Sequence, residues 1–405
     1  MPIREQVNTD TVQTLSGPKT LTSPLLNAAV CGGDPVLPLG VATRQFVEAA
    51  VSLQSTGENP IVNGDMNVWQ YGTTNVALAT SGIGGFPCDR WKWLVSGTGI
   101  VNRVQDTNVP TVGLAGAVLP FSLGLNVTTA DAAIAAGDFY AIAQRIEGFN
   151  WAPFAQQALT LPFLVKSSLT GIHCVALRNG NTPDRSYVAE YNIAVANTWQ
   201  LVVLNVPASP SAGTWNYTDG TGLEVAFVLA CGSTRQTTAG SWNTGGFMAT
   251  ANQVNVMSAN AQKFNIVRVQ LLKGTISSPS FKTRPWHQDY ALSQFYFQKS
   301  FPYDTAPAQN AGNAGAEVIA SPIGTASVMS IVAALPVKMR TANLITATYN
   351  PGAANAEARN TTDAVDDTGT GIASTERSMI ITMTGNATNT VGDFHRVHWT
   401  MQSEL

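Results

Sequence analysis

The shortness of the apolar runs constrains this chain most. Between Asn59 and about Thr283, Gly, Asn and Pro cut the sequence into stretches such as LTLPFLV (159–165), WQLVVLNV (199–206), LEVAFVLA (223–230) and FNIVRVQLL (264–272). These are rich in β-branched and aromatic residues and alternate in part with polar ones, as strands do when one face is buried. Strands at fairly regular intervals with long loops between them pack as two antiparallel sheets, so the pattern predicts a jelly-roll β-sandwich over 59–285. No clean long-period repeat is present, which argues against a solenoid or a propeller.

The flanking regions read differently. Thr9 to Pro24 is TDTVQTLSGPKTLTSP, short Thr-rich strands interrupted by Gly17-Pro18 and Pro24. In VATRQFVEAAVSLQ (41–54), Val41, Phe46, Val47, Ala50 and Val51 mark one helical face. A lone short helix is marginal in water, so residues 1–58 are expected to find their partner in identical copies of the chain. After Pro285, WHQDYALSQFYFQKS predicts a second helix with Tyr290, Leu292, Phe295 and Tyr296 on its apolar face, followed by a low-charge linker, together spanning 286–315. From there VIASPIGTASVMSIVAALPVKM, LITATYN, RSMIITMTGN and FHRVHWTM read as strands of a smaller C-terminal β domain, 316–405. The expected fold class is therefore mainly β, with a short helix in the N-terminal segment and a short helical linker.

Hydrophobic residues make up 44% of the 405, enough for sizeable cores. Charged residues reach only 12%, about half the usual share of roughly 25%. Thr, Ser, Asn and Gly must then carry solubility. This composition is unlike that of disordered chains, and no apolar run approaches the roughly 18 residues of a membrane span. A net charge of −3 without a basic tract makes nucleic acid a poor partner. The opening Met1-Pro2-Ile3-Arg4-Glu5 lacks signal-peptide regions, so synthesis in the cytoplasm without such a leader is expected. Cys31, Cys88, Cys174 and Cys231 lie far apart, signalling neither a disulfide framework nor a zinc site. No G-x-S-x-G, Walker loop or H-E-x-x-H occurs, and context singles out no pair among the 25 Asp and Glu. The expectation is a non-enzymatic protein without a cofactor.

Candidate binding residues are aromatic. Trp215, Tyr217 and Trp242 lie in the loop-like contexts GTWNYTDGTG and GSWNTGG; a flat amphipathic ring suits the apolar face of a pyranose. Trp69, Trp91 and Trp93 sit in strand-like positions and are expected in the core. His173, in GIHCVAL, reads as a core histidine. His395 and His398 are three apart, on opposite faces of a strand, and read as structural. Asp363, Asp366 and Asp367 fall in NTTDAVDDTGTG, a solvated turn.

Several motifs resemble one protein class. NPIVNGDMNVWQYG (59–72) followed by CDRWKW (88–93) is similar to the opening of a jelly-roll domain common in bacteriophage tail-fibre proteins. FKTRPWHQDYALSQFYFQKSF (281–301) and the final HWTMQSEL (398–405) resemble later segments of those proteins, and DPVLPLGVATRQFVEA (34–49) resembles a segment near the N-termini of phage fibre and baseplate-associated proteins. The resemblance implies a virion-surface fibre, usually a homotrimer, that attaches to other tail or head proteins through its N-terminus and binds host-surface glycan. The alternative is a structural virion part, a head fibre, spike or fibre-to-tail adaptor, without receptor binding. The first strand is also similar to that of jelly-roll carbohydrate-binding modules, which often hold calcium between their first and last strands. That makes Asp65 a calcium candidate, although Arg268 stands where such modules tend to place an acidic residue.

Overall fold

The computed structural model describes residues 59–79, 83–342 and 344–405. The expected attachment segment 1–58, including its helix and Cys31, lies outside the described residues.

In chain order the sandwich comprises β1 (Val76–Ala77), β2 (Lys92–Ser96), β3 (Ile100–Asp106), β4 (Ser122–Thr129), β5 (Phe139–Glu147), β6 (Leu159–Ser167) and β7 (Gly171–Asn179). It continues with β8 (Arg185–Ile193), β9 (Gln200–Val206), β10 (Thr221–Cys231), β11 (Trp242–Thr244), β12 (Lys263–Val267) and β13 (Leu272–Lys273). One sheet runs β1-β3-β4-β12-β6, with β13 and β9 also on β6; the other runs β11-β8-β7-β10-β5-β2. All these pairings are antiparallel. Between the sheets lie Trp69, Trp91, Trp93 and an aromatic chain in which Phe163 meets Phe227 edge-on at 4.9 Å and Tyr191 at 5.2 Å.

Strand β10 shows why LEVAFVLA is nearly continuous in apolar residues. Leu223, Val225, Phe227 and Leu229 face the sandwich core, while Ala226 and Val228 belong to a second cluster on the other face. There they join Ala141, Ala143, Cys174, Ala176 and Val188 beneath Met248 and Ala249. A strand covered on both sides loses strict alternation. The exception is Glu224, whose direct cross-strand neighbours are Arg145 on β5 and Arg178 on β7. Arg145 Nε donates to it at 2.9 Å and Arg178 Nε at 3.0 Å. Burial acts to raise the Glu224 carboxyl, but the two guanidiniums outweigh it and hold its pKa below the usual range.

The C-terminal domain is organised by one strand. It contains β14 (Phe297–Lys299), β15 (Glu317–Ala320), β16 (Val328–Ala334), β17 (Ile345–Tyr349), β18 (Arg359–Asn360), β19 (Val365–Asp366), β20 (Thr368–Ser374), β21 (Ser378–Thr384) and β22 (Phe394–Gln402). Strands β14, β15, β17 and β18 all pair with β22, and β16-β21-β20 form a separate sheet. Alternating inward residues, Met329, Ile331 and Ala333 from β16 and Met379, Ile381 and Met383 from β21, join Trp399 and Met401 in a core of their own. Both cores lie within one compact unit, Gly57–Leu405.

The predicted helix at 286 is shorter than its sequence suggested, and its apolar face does not form. It spans Trp286–Gln294, buries Asp289 and Ser293, and leaves Leu292 exposed. Phe297 has already entered β14, opposite Gln402. The aromatic pair therefore works after the helix: the Arg90 guanidinium lies 3.4 Å over Tyr296, and Phe297 stacks on Tyr71 at 4.1 Å. The end of the expected helix is thus a strand of the C-terminal sheet.

Of the motifs that carry the resemblance, those at 59–72, 88–93, 281–301 and 398–405 meet at the joint between the two cores, and that at 34–49 lies outside the described residues. Asn63 adopts a left-handed φ of 54°; its Nδ2 donates to Val68 O and Asp89 O, and its Oδ1 accepts from Asn67 N and Val68 N. Gly64 is required because a Cβ there would collide with the Val269 carbonyl oxygen, while Val269 N donates to Gly64 O at 3.0 Å. Asp289 Oδ1 accepts from Asn63 N, and Arg284 Nη2 donates to Asn59 O. Arg90 pairs with Glu404, Gln402 Nε2 donates to the Tyr71 hydroxyl, and Arg145 Nη1 donates to Leu405 O. Four sequence segments thereby become one hydrogen-bonded seam.

Candidate functional site

Loops 179–185 and 212–221 of the sandwich enclose a pocket of about 210 Å³ lined by Asn181, Thr182, Thr214, Trp215, Asn216 and Thr221 together with Gly180 and Gly220. Buried Asn179 ties the two loops together. Its Oδ1 accepts from Asp184 N and Arg185 N, and its Nδ2 donates to Asp184 Oδ1 and Thr214 O. Asp184 in turn accepts from Thr214 N and Thr214 Oγ1. Hydrogen bonds from Asn179 and then Thr214 lower the Asp184 pKa, so it serves as a fixed acceptor in the loop frame.

The indole of Trp215 is held from behind. It stacks on buried Trp151 with centroids 5.6 Å apart, meets Trp242 edge-on at 5.7 Å, and its Nε1 donates to Ala212 O. Trp242 is fixed by a hydrogen bond from its Nε1 to Pro207 O and by Tyr187 at 5.7 Å. Among the candidates, then, Trp215 lines the pocket and Trp242 supports it. Trp242 lies in strand β11 and not in a loop as its Gly-rich context suggested. Tyr217 is exposed on the same loop, outside the pocket lining.

Sequence reasoning missed the polar lining. Asn181 Oδ1 accepts from Thr221 Oγ1, and Asn216 Oδ1 accepts from Thr218 N and Gly220 N. Their Nδ2 groups donate to no acceptor among the described residues. The result is a flat ring beside two amide donors and the Thr182 and Thr214 hydroxyls, all uncharged. This arrangement suits a ligand with one apolar face and many hydroxyls. The Asn and Thr flanking Trp215 were visible in the sequence, but the contribution of 180–182 depends on loop pairing.

The other candidates resolve into structure. Arg268 lies just beyond β12, with a left-handed φ of 60°, and is not a strand residue. Its Nη1 reaches Asp65 Oδ2 at 3.1 Å and Thr283 Oγ1 at 2.7 Å, and its Nε and Nη2 donate to Ala115 O. Desolvation raises the Asp65 pKa, with Arg268 opposing it. The carboxylate considered for calcium is therefore engaged by a guanidinium. His395 is fully buried between Asp367 Oδ2 at 2.7 Å and Asn389 Oδ1 at 2.9 Å. Asp367 is buried with it and is not part of a solvated turn, whereas Asp366 pairs with Arg359. His398 bridges Ser300 Oγ and Gly312 O, and His173 Nε2 meets Leu169 O.

The architecture defines a mainly β protein built on an antiparallel sandwich. No protein-family model and no curated protein matches the chain. Among solved structures it is similar to the enzymatically active domain of tailspike protein 4 of bacteriophage CBA120, at 17% identity and a TM-score of 0.28, covering 53% of this chain and 21% of that one. It is also similar to a family 11 carbohydrate-binding module from Clostridium thermocellum, solved with a β-1,3-1,4-mixed-linked tetrasaccharide (10% identity, TM-score 0.27, covering 47% and 91%). A third likeness is to the module TmCBM61 bound to β-1,4-galactotriose (10% identity, TM-score 0.26, covering 54% and 100%). The chain spans about a fifth of the tailspike chain's length, and all three scores are low.

Proposed function

We propose that this chain is a non-enzymatic fibre protein of a virion surface, assembled as a homotrimer, that holds host-surface polysaccharide in the Trp215 pocket. The observation that carries the binding role is the braced Trp215 ring beside Asn181, Asn216, Thr182 and Thr214 in a pocket without a charged residue. The reading of a virion fibre rests on the resembling segments at 34–49, 59–93 and 281–301. Association of copies is supported by the sequence of 1–58 and by an uncharged row across the β16-β21-β20 sheet, where exposed Val332 stands opposite exposed Ile380, itself opposite Ala373. Light scattering of the full chain is expected to give about three times 42.7 kDa; a single-chain mass at micromolar concentration would rule the trimer out.

The binding test is Trp215→Ala, measured by retention on immobilised neutral oligosaccharides and by adsorption to host cells. Losing one stacked ring costs about 1 kcal/mol, or roughly fivefold per site. With three linked copies engaged, the loss compounds to the order of a hundredfold in avidity. Unchanged adsorption by Trp215→Ala and by a variant with Tyr217 and Trp242 also replaced would instead favour a structural virion part without receptor binding.

A further inference from the structure

A second pocket, of about 270 Å³, lies on the first sheet where Asp106, Asn108, Lys166, Ser168, Lys263 and Asn265 converge. Cross-strand register places Asn265 of β12 directly beside Lys166 of β6, on the face opposite to core residues Phe264 and Ile266. Lys166 is only 8% exposed. Its ammonium donates to Asn108 Oδ1 at 2.6 Å, its one hydrogen-bond acceptor among the described residues. Trp199 Nε1 donates to the same oxygen at 3.0 Å, and the ammonium lies 5.2 Å from the centre of that indole. Asp106 does not form an ion pair with Lys166; its two oxygens accept from Asn108 N and Asn265 Nδ2. A largely buried cation is thus held in a fixed position by a neutral amide and an aromatic ring, with two ammonium protons left over. Asp106 offsets part of the cost of burying this charge through space, but its oxygens are taken by Asn108 N and Asn265 Nδ2, so an anion entering the pocket would give Lys166 the direct partner it lacks. Desolvation lowers the Lys166 pKa, with Asp106 opposing it and the Lys263 ammonium adding to it.

We infer that this pocket binds an acidic sugar residue, its carboxylate on Lys166 and Lys263 and its hydroxyls on Asn108, Ser168 and Asn265. The volume lies just under the roughly 300 Å³ at which drug-sized pockets begin, which suits a single ring. The polar lining beyond the lysines distinguishes a sugar acid from a bare anion. The site shares no lining residue with the Trp215 pocket, so the two can fail independently.

The test is ligand-observed NMR of the full chain with glucuronate, glucose and inorganic phosphate as probes. Glucuronate is expected to bind, glucose not, and phosphate more weakly than glucuronate. Lys166→Gln should weaken glucuronate about tenfold or more through loss of a charge-assisted hydrogen bond, and Lys263→Gln, at an exposed position, should weaken it while leaving the fold intact. Trp215→Ala should leave glucuronate binding unchanged. Absence of glucuronate binding to the wild-type chain, or binding by both lysine variants as tight as the wild type's, would overturn the site. Phosphate binding as tightly as glucuronate would overturn its assignment to an acidic sugar.

Discussion

Arg268→Ala is expected to destabilise the protein by about 3–5 kcal/mol, the usual cost of stripping one partner from a buried ion pair. Arg268 is 1% exposed and Asp65 is 6% exposed. Truncation leaves the Asp65 carboxylate in a desolvated site and removes the donors to Ala115 O and Thr283 Oγ1. Two controls separate charge from backbone. Arg268→Gly should be less damaging than Arg268→Ala by about 1 kcal/mol, because glycine adopts a φ of 60° without the penalty that alanine meets there. Combining Asp65→Asn with Arg268→Ala should recover part of the loss, since the unpaired charge is then gone. Calorimetric melting of the variants is the measurement. If Arg268→Ala melted within a degree of the wild type, the ion pair would have no place in the account of this fold.

Stability should also fall as pH rises from about 4 to 7, and Asp89→Asn should flatten that slope. Asp89 is fully buried at the domain joint, where it accepts from Gln70 N and Gln70 Nε2, both at 2.6 Å. Desolvation dominates over these bonds and raises its pKa from 3.8 to about 7. Between those values the folded protein retains a proton that the unfolded chain has released. Stability from this group is therefore fully present below 3.8 and is lost as pH climbs through 7. Three pKa units correspond to roughly 4 kcal/mol across the range. Desolvation likewise raises the Glu404 pKa at the same joint, adding to the trend. Lys299 acts in a higher window: burial lowers its pKa to about 8, so its contribution improves as pH rises from 8 towards 10.5. Asparagine at 89 forfeits one of the two Gln70 bonds at every pH, which shifts the curve without tilting it. Parallel pH profiles for Asp89→Asn and the wild type would show that Asp89 is not the group responsible.

Much of the sandwich was legible because its strands bury one face or two. The runs at 159–165, 199–206 and 223–230 all became strands, and Trp69, Trp91 and Trp93 lie in the core. What stayed hidden depends on partners far along the chain. The predicted helix ran too long because Phe297 pairs with a strand about a hundred residues later, and local aromatic spacing cannot show this. Asp65 was a calcium candidate from its resemblance alone, and its ion pair with Arg268, 203 residues away, appears only in the fold. Trp215 was visible as a ring in a polar loop, whereas Asn181 and Thr182 reach the pocket only through the Asn179–Asp184 clasp. The Lys166 pocket draws its residues from β3, β6, β12 and three loops, and no local motif foreshadows it.

The central position of β22 sets the order in which the protein can be made. Strands β14, β15, β17 and β18, spread from Phe297 to Asn360, have their sheet partner at Phe394–Gln402. During synthesis at roughly 5–20 residues per second, those strands emerge and wait with unpaired edges until β22 clears the ribosome. The sandwich, complete by Lys273, has no such delay within its own sheets. Biogenesis is thus expected to pass through a half-finished stage, with a folded sandwich and a C-terminal domain whose exposed strands need shielding from neighbouring nascent chains.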